Sequence, residues 1–237
     1  MKKPNFSTSR RGFTLMETVI AIGVLALLLT GFLAVFAPAT AGIRKAVSIQ
    51  EADRLAFALQ KELVLLRDTS SDYDTGFEKA YEWIKASTED DNALLVYQYR
   101  SQIGGSLRSD GTPSPYLDGE GTAGKDFIIQ PMLRRKGDAE LRNDLKALEG
   151  RIYTTKLVQL VFNSQGEMER GTEGEITSPS GDGSAGTDAE TYPEAVIAFA
   201  AEFHLLPNSS YNYINGSNFN ITELNSPVFT RNLAVRR

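Results

Sequence analysis

The chain has 237 residues, with 25 Lys and Arg against 30 Asp and Glu, and a formal net charge of −5. It contains no cysteine, which excludes disulfides, thiolate metal sites and a cysteine nucleophile. Its one histidine, His204, excludes a multi-histidine metal site. The acidic balance argues against nucleic acid as a partner, because phosphate binding needs clustered Lys and Arg.

The N-terminal region combines a basic start with a long uncharged apolar segment. Four basic residues precede or adjoin Gly12, namely Lys2, Lys3, Arg10 and Arg11. No residue from 18 to 43 carries a charge, and about 20 apolar residues are enough to span a bilayer. Glu17 lies at the start of this segment, and an unpaired carboxylate in lipid is costly. We therefore expect Glu17 to have a partner or a function.

The order of basic residues, Gly12, Phe13, Glu17 and an apolar run resembles the N-terminus of type IV prepilins and type II secretion pseudopilins. The resemblance covers about the first 35 residues. It implies that residues 1–12 are a leader peptide whose positive charge keeps it on the cytoplasmic side. It also implies that prepilin peptidase cleaves between Gly12 and Phe13 and methylates the new amino group of Phe13. Removal of the leader leaves 21 basic residues against 30 acidic ones.

The resemblance also implies a role for Glu17 in assembly. In a bundle of such helices, the methylated ammonium of Phe13 from a neighbouring subunit can approach the Glu17 carboxylate. The pair would compensate two charges in a low dielectric and set the register between subunits. The chain would then be a non-catalytic subunit without a cofactor. Its partners would be other pilin or pseudopilin subunits, prepilin peptidase, the inner-membrane assembly platform and the membrane.

The same resemblance predicts where the chain resides. Before assembly it would span the inner membrane once, with its head in the periplasm. A cytoplasmic ATPase would then drive its extraction into a filament, in the periplasm or at the cell surface. Roughly 225 mature residues are many for the main subunit of a pseudopilus, which favours a minor, tip or specialised subunit.

Two other interpretations of the apolar segment remain open. One is a secretory signal peptide with Ala39-Thr40-Ala41 as its cleavage site, although the segment exceeds the roughly 7–15 residues usual for such signals. The other is a simple single-span anchor. Either would make the protein an exported or membrane-tethered periplasmic binding domain with no filament role. Neither explains the position of Glu17.

Residues 13–68 are predicted to form one long helix, with a transmembrane and assembly half at 13–43 and an amphipathic half at 44–68. In the second half, apolar residues recur at three- and four-residue spacing, which predicts one buried stripe: Ala52, Leu55, Ala56, Leu59, Leu63 and Leu66. Pro38 is predicted to bend the helix, because proline removes a helical hydrogen bond.

Residues 69–237 are predicted to form a pilin-like α+β head, in which an antiparallel sheet packs on the long helix. Pattern and turn residues predict the following elements. They are a helix at 76–85, a strand at 93–100, a loop at 104–124, a strand at 127–130 ended by Pro131, a helix at 139–148 capped by Asp138 and stopped by Gly150, a strand at 152–162, a turn at 163–166, a polar loop at 171–191, and strands at 195–205 and 227–235.

The remaining motifs are weak. Residues 181–186 match a dinucleotide-binding glycine pattern, but no strand precedes them and no helix follows, so we expect a loop. Asp182, Asp188 and Glu190 offer oxygen ligands for a calcium ion without a recognisable calcium-loop pattern. His204 is predicted to be an ordinary strand residue rather than a catalytic one.

Overall fold

The computed structural model describes residues 14–67, 72–178, 188–224 and 226–237, and within these ranges the side chains of all but 35 and 37–49. The chain divides into two compact units, residues 1–50 and residues 51–237. From here on, we use the word head for the second unit, residues 51–237, which also includes the last part of the long helix. One helix, α1 (Leu15–Val64), runs from the first unit into the second.

The part of α1 in the head is amphipathic. Five residues of the predicted stripe are buried in the core of the head: Ala52, Leu55, Ala56, Leu59 and Leu63. The sixth, Leu66, was predicted wrongly: it is 41% exposed and lies beyond the helix end at Val64. Gly76 approaches the Val64 carbonyl so closely that a Cβ at position 76 would lie 2.1 Å from the oxygen, so a residue with a side chain would clash there. The expected end at Asp68 falls among the residues that are not described.

A second helix, α2 (Gly76–Ala86), packs beside α1. Thr75 caps its N-terminus by accepting a hydrogen bond from the Glu78 amide at 3.1 Å. Its apolar face buries four residues in the same core as α1: Phe77, Ala80, Tyr81 and Ile84. The prediction of a helix at 76–85 is confirmed.

The head is built on an antiparallel sheet. Its strands are β1 (Leu94–Gln102), β2 (Phe127–Arg135), β3 (Leu148–Phe162), β4 (Met168–Arg170), β5 (Val196–Leu205) and β6 (Phe229–Arg236). Their order is β2-β1-β3-β5-β6, and the short β4 pairs with the far end of β3. The predicted α+β class, a long N-terminal helix followed by an antiparallel sheet, is confirmed.

Apolar clusters lie on both sides of this sheet. One contains the residues of α1 and α2 together with Val96, Leu157 and Phe203. The other joins Tyr97 and Met132 to the short helices α3 (Leu141–Lys146) and α4 (Tyr211–Ile214). Residues of β1, β2 and β3 contribute to both clusters, as expected when successive side chains of a strand point to opposite faces.

Two boundary predictions were wrong. Pro131 does not end its strand, because β2 lies at the edge of the sheet beside β1, with Pro131 opposite Gln98. A missing N–H is tolerated at an edge. Gly150 does not stop a helix: α3 ends at Lys146, and Gly150 lies inside β3 with φ +78°. The β1–β3 register shifts between Val96 and Gln98, so this glycine forms part of a bulge.

Candidate functional site

The N-terminus of α1 is closed by a reciprocal pair of side chains. The Glu17 amide donates to Thr14 Oγ1 at 3.2 Å, and Glu17 Oε2 accepts from the Thr14 amide at 2.9 Å and from its hydroxyl at 3.0 Å. This is a capping box, in which two helix N-terminal donors are satisfied by side chains. Both bonds to the carboxylate end on Oε2, so Oε1 has no hydrogen-bond partner among the described residues. The carboxylate can therefore still accept a bond from a cation supplied by another molecule.

The segment that follows is apolar and fully exposed in the isolated chain. Residues Leu15–Ala34 have a mean hydropathy of 2.2 and make up the one helix in the described part of the chain that is long and apolar enough to cross a membrane. Its large side chains are 51–84% exposed, and Glu17 is its only charged residue. The hydroxyl of Thr30 donates to the carbonyl of Ala26 at 2.8 Å. That polar group is thus satisfied within the helix, as a bilayer requires.

Comparison with known families places these residues in a recognised signal. The model for the prokaryotic N-terminal methylation motif matches residues 7–33. The chain carries a prepilin signal of the type IV pilin and pseudopilin kind. Comparisons with curated proteins and with solved structures give no match.

The prepilin signal indicates how the chain is processed and what general kind of protein it is. The motif indicates a prepilin-peptidase substrate of the pilin or pseudopilin type. The exposed apolar helix near the N-terminus fits membrane anchoring. The motif points to a structural subunit rather than an enzyme.

The structure describes only some of the predicted site residues. Gly12 and Phe13, which flank the predicted cleavage point, lie outside the described residues, so their processing stays a prediction. Glu17 is described, and sequence reasoning missed its intramolecular partner Thr14. The signal was present, because Thr and Glu three residues apart before an apolar run are the signature of a capping box. Pro38 lies within the helical range of α1, and a bend there stays a prediction.

Two of the three predicted calcium ligands, Asp188 and Glu190, lie in the described part of the chain. Asp182 lies outside the described residues. Asp188 Oδ1 accepts hydrogen bonds from the amide and the hydroxyl of Thr191, both at 2.8 Å, and so closes a turn. Glu190 is exposed. Among the described residues no three His, Cys, Asp or Glu side chains form a group that could hold a metal. Calcium binding therefore stays an untested prediction.

His204 lies where the sequence placed it, in a strand. It is buried in β5, and its Nε2 is 3.7 Å from Glu202 Oε2. Glu202 in turn forms an ion pair with Arg170 of β4. The Arg170–Glu202 pair joins β4 to the face of β5.

Sequence reasoning missed a buried ionic cluster at the β2 edge of the head. Arg134 donates to Asp144 at 2.6 Å and pairs with Asp110 at 2.9 Å, and Arg108 pairs with the other Asp144 oxygen at 2.7 Å. Asp144 also accepts a bond from the Tyr97 hydroxyl at 2.6 Å. Buried charges need such pairing, because desolvation of an unpaired one is costly. The cluster fixes the 104–124 loop and α3 to the sheet.

The surroundings shift the pKa values of this cluster. Burial alone would raise the pKa of Asp110, but hydrogen bonds from the hydroxyl and amide of Thr112, together with Arg134, lower it to about 2. Burial and the adjacent Asp144 raise the pKa of Tyr97 well above its usual value. The cluster members come from four separate segments, and no local spacing marks them.

A buried lysine closes the other end of α1. Lys79 Nζ donates to the carbonyls of Glu62 at 2.9 Å and Leu65 at 2.7 Å, where helix carbonyls lack intrahelical partners. Arg67 pairs with the Glu62 carboxylate at 2.6 Å. Burial lowers the pKa of Lys79 to about 8, Glu62 acts against this shift, and Arg67 acts with it. The end of α1 is thus anchored to α2 by polar bonds.

Proposed function

We propose that the chain is a non-catalytic structural subunit of a type IV pilus or a type II secretion pseudopilus. Prepilin peptidase removes residues 1–12 and methylates Phe13. The mature protein then waits in the inner membrane with a periplasmic head. The assembly platform and a cytoplasmic ATPase move it into a filament in the periplasm or at the cell surface.

The observation that carries the proposal is Glu17 within the matched signal. It is the only charge in the exposed apolar segment Leu15–Ala34, and no described residue donates to its Oε1. A carboxylate in a bilayer or an apolar bundle is stabilised by an opposite charge. The methylated amino group of Phe13 in an adjacent subunit is such a charge. The pairing would fix the register of one subunit on the next.

The size of the mature chain supports a more specific proposal about the kind of subunit. Roughly 225 residues favour a minor or specialised subunit over the main repeating one of a pseudopilus. A count of copies per filament by quantitative mass spectrometry tests this point directly.

The alternative is an exported or tethered periplasmic binding domain without a filament role. Mass spectrometry of the mature N-terminus separates the two. A chain that begins at methylated Phe13 agrees with assembly. A chain that begins after Ala41 means plain secretion and contradicts the proposed function.

A substitution tests the role of the carboxylate. Glu17→Ala should leave membrane insertion intact, since it makes the segment more apolar, and should strongly reduce incorporation into filaments. Glu51→Ala removes a carboxylate from the same helix outside the apolar segment and should leave incorporation unchanged. Normal filaments from Glu17→Ala would show that the carboxylate has no assembly role.

A further inference from the structure

One large apolar side chain of the head stands out from the surface of α1. Phe57 is 69% exposed, whereas Ala56 and Leu59 beside it in sequence are buried. Val64, seven residues further on, is 39% exposed, and residues seven apart lie on one helix face. A phenylalanine contributes much more to stability when it is buried, at about 25 cal/mol per Å² of apolar surface. This face of α1 therefore has the character of a contact surface.

The surroundings of Phe57 are cationic. Arg54 and Lys61 precede and follow it by about one helical turn and are both exposed. Arg54 donates to the backbone carbonyl of Ile129, and within the described residues neither cation forms an ion pair with a carboxylate. Asp53, the exposed acid on this face, is already paired with Arg231 at 2.7 Å. The helix face around Phe57 thus carries two uncompensated positive charges.

A second surface of the head, which we call the α2 pocket, is acidic, whereas the face around Phe57 is cationic. It lies at the N-terminus of α2, has a volume of about 320 Å³, and is lined by Asp74, Thr75, Phe77, Glu78, Ala189, Glu190 and Arg237. Phe77 and Ala189 are its buried apolar residues. None of its three carboxylates forms an ion pair in the described structure. Its one cation, Arg237, is held against the Phe77 ring and donates to the carbonyls of Ala189 and Tyr192.

The two surfaces complement each other in polarity and charge. One offers a protruding aromatic ring between two cations that have no carboxylate partner among the described residues. The other offers an apolar pocket with an acidic rim, where three carboxylates exceed one guanidinium by two charges. We propose that Phe57 of one copy of this chain inserts into the α2 pocket of a second copy, with Lys61 and Arg54 facing the carboxylates. The inference rests on the proposed filament role and identifies a head contact within it.

The symmetry of this contact agrees with a filament. Phe57 and the α2 pocket are different parts of one chain. Each copy can therefore insert its Phe57 into one neighbour and accept the Phe57 of another in its own pocket. Such heterologous contacts, when the rotation does not close, generate open helical assemblies. The proposal requires adjacent copies. It therefore limits the minor-subunit prediction to a subunit present more than once in succession.

Cross-linking tests the contact with little background, because the natural chain has no cysteine. The full chain is expressed in its own host as Lys61→Cys and as Glu190→Cys, both at exposed positions. Sheared filaments are then treated with a short bis-maleimide. Either variant alone should give no dimer, the two expressed together should give a dimer, and the double variant should give a ladder of higher multimers. A double variant that stops at the dimer would show a closed pair and overturn the heterologous contact.

Further variants separate docking from folding. In the cysteine background, Phe57→Asp should lower the cross-linked yield by at least about tenfold, which corresponds to about 1.4 kcal/mol. Leu107→Asp, at a residue of similar exposure on the 104–124 loop, should not change it. In the cysteine-free chain, Lys61→Glu and Glu190→Lys should each reduce filament yield, and their combination should restore it. Unfolding of the head cannot produce such a rescue.

The outcomes distinguish this contact from the proposed function. If the unmodified chain forms filaments but the mixed variants give no dimer, the docking contact is wrong and the filament role stands. A cross-link only to a different subunit, identified by its mass, also overturns docking between copies. If the unmodified chain is absent from filaments altogether, both proposals fail.

Discussion

Glu17 Oε2 accepts hydrogen bonds from both the amide and the hydroxyl of Thr14, at 2.9 and 3.0 Å. The carboxylate that the prepilin signal places in an apolar segment is therefore already oriented within its own chain. Its other oxygen has no partner among the described residues, so an incoming cation meets a fixed acceptor. Thr14 therefore fixes the orientation of the Glu17 carboxylate within its own chain.

This relationship predicts the effect of removing the Thr14 hydroxyl. Thr14→Ala should cost about 1 kcal/mol at the start of the helix, as the loss of an N-cap does. The Glu17 amide loses its acceptor, so its hydrogen exchange in detergent micelles should be about fivefold faster. Thr14→Ser keeps the acceptor and should exchange like the unmodified chain. Thr30→Ala, which removes a hydroxyl bonded to a carbonyl, should leave this amide unaffected. Unchanged exchange in Thr14→Ala would mean that the capping box does not persist.

The ionic cluster should dominate the stability of the β2 edge. Asp144 is fully buried and pairs with both Arg134 and Arg108. Asp144→Ala leaves two buried guanidinium groups without this partner and should cost about 3–5 kcal/mol of unfolding free energy. Asp118→Ala, at an exposed loop position, should change it by less than about 0.5 kcal/mol. Urea unfolding followed by the fluorescence of Trp83, the single tryptophan, measures both. Equal midpoints would contradict the importance of the cluster.

The lowered pKa of Asp110 predicts how the free energy of unfolding of the head changes in acid. Its folded pKa of about 2 lies below the usual 3.8, so the ionised group stabilises the fold above pH 3.8. That contribution, about 2 kcal/mol, is lost as the pH falls from 3.8 through 2. Asp110→Asn should be less stable at neutral pH and should show a shallower decline in this range. Unfolding free energies of both proteins between pH 5 and pH 2 provide the test, and parallel curves would exclude this role.

The lowered pKa of Lys79 predicts a second rise of stability with pH, in alkaline solution. Its folded pKa of about 8 lies below the usual 10.5, so between these values the unfolded chain binds a proton that the folded chain does not. The contribution of Lys79 to stability should therefore rise with pH, by up to about 1.4 kcal/mol per unit. Measurement from pH 7.5 to 9.5 stays below the range in which the buried tyrosines ionise.

A pair of variants isolates this effect. Lys79→Met should remove the rise, while Lys85→Met, at an exposed position of α2, should retain it. A rise of equal slope in Lys79→Met would show that another group is responsible. The same measurement reports whether the polar anchor of the α1 end contributes at neutral pH, through the difference in unfolding free energy between the two variants.

The sequence determined the features that depend on local pattern. The basic leader, Gly12, Phe13 and Glu17 stand in a fixed order, so the prepilin signal could be read from residues alone. The three- and four-residue spacing of Ala52, Leu55 and Leu59 likewise predicted the buried face of α1, since a helix brings such residues together.

Tertiary structure decided what depends on distant neighbours. Pro131 continues its strand because β2 lies at the sheet edge, and Gly150 forms a bulge because β1 runs beside it. Neither neighbour is encoded nearby in the chain. The partners of Lys79 and Asp144 come from segments 10–47 residues away, and only folding brings them within hydrogen-bond distance. The local order of residues determined the prepilin signal and the long helix. Packing between distant segments determined the sheet edges, the charge cluster and the two surfaces of opposite charge around Phe57 and Glu190.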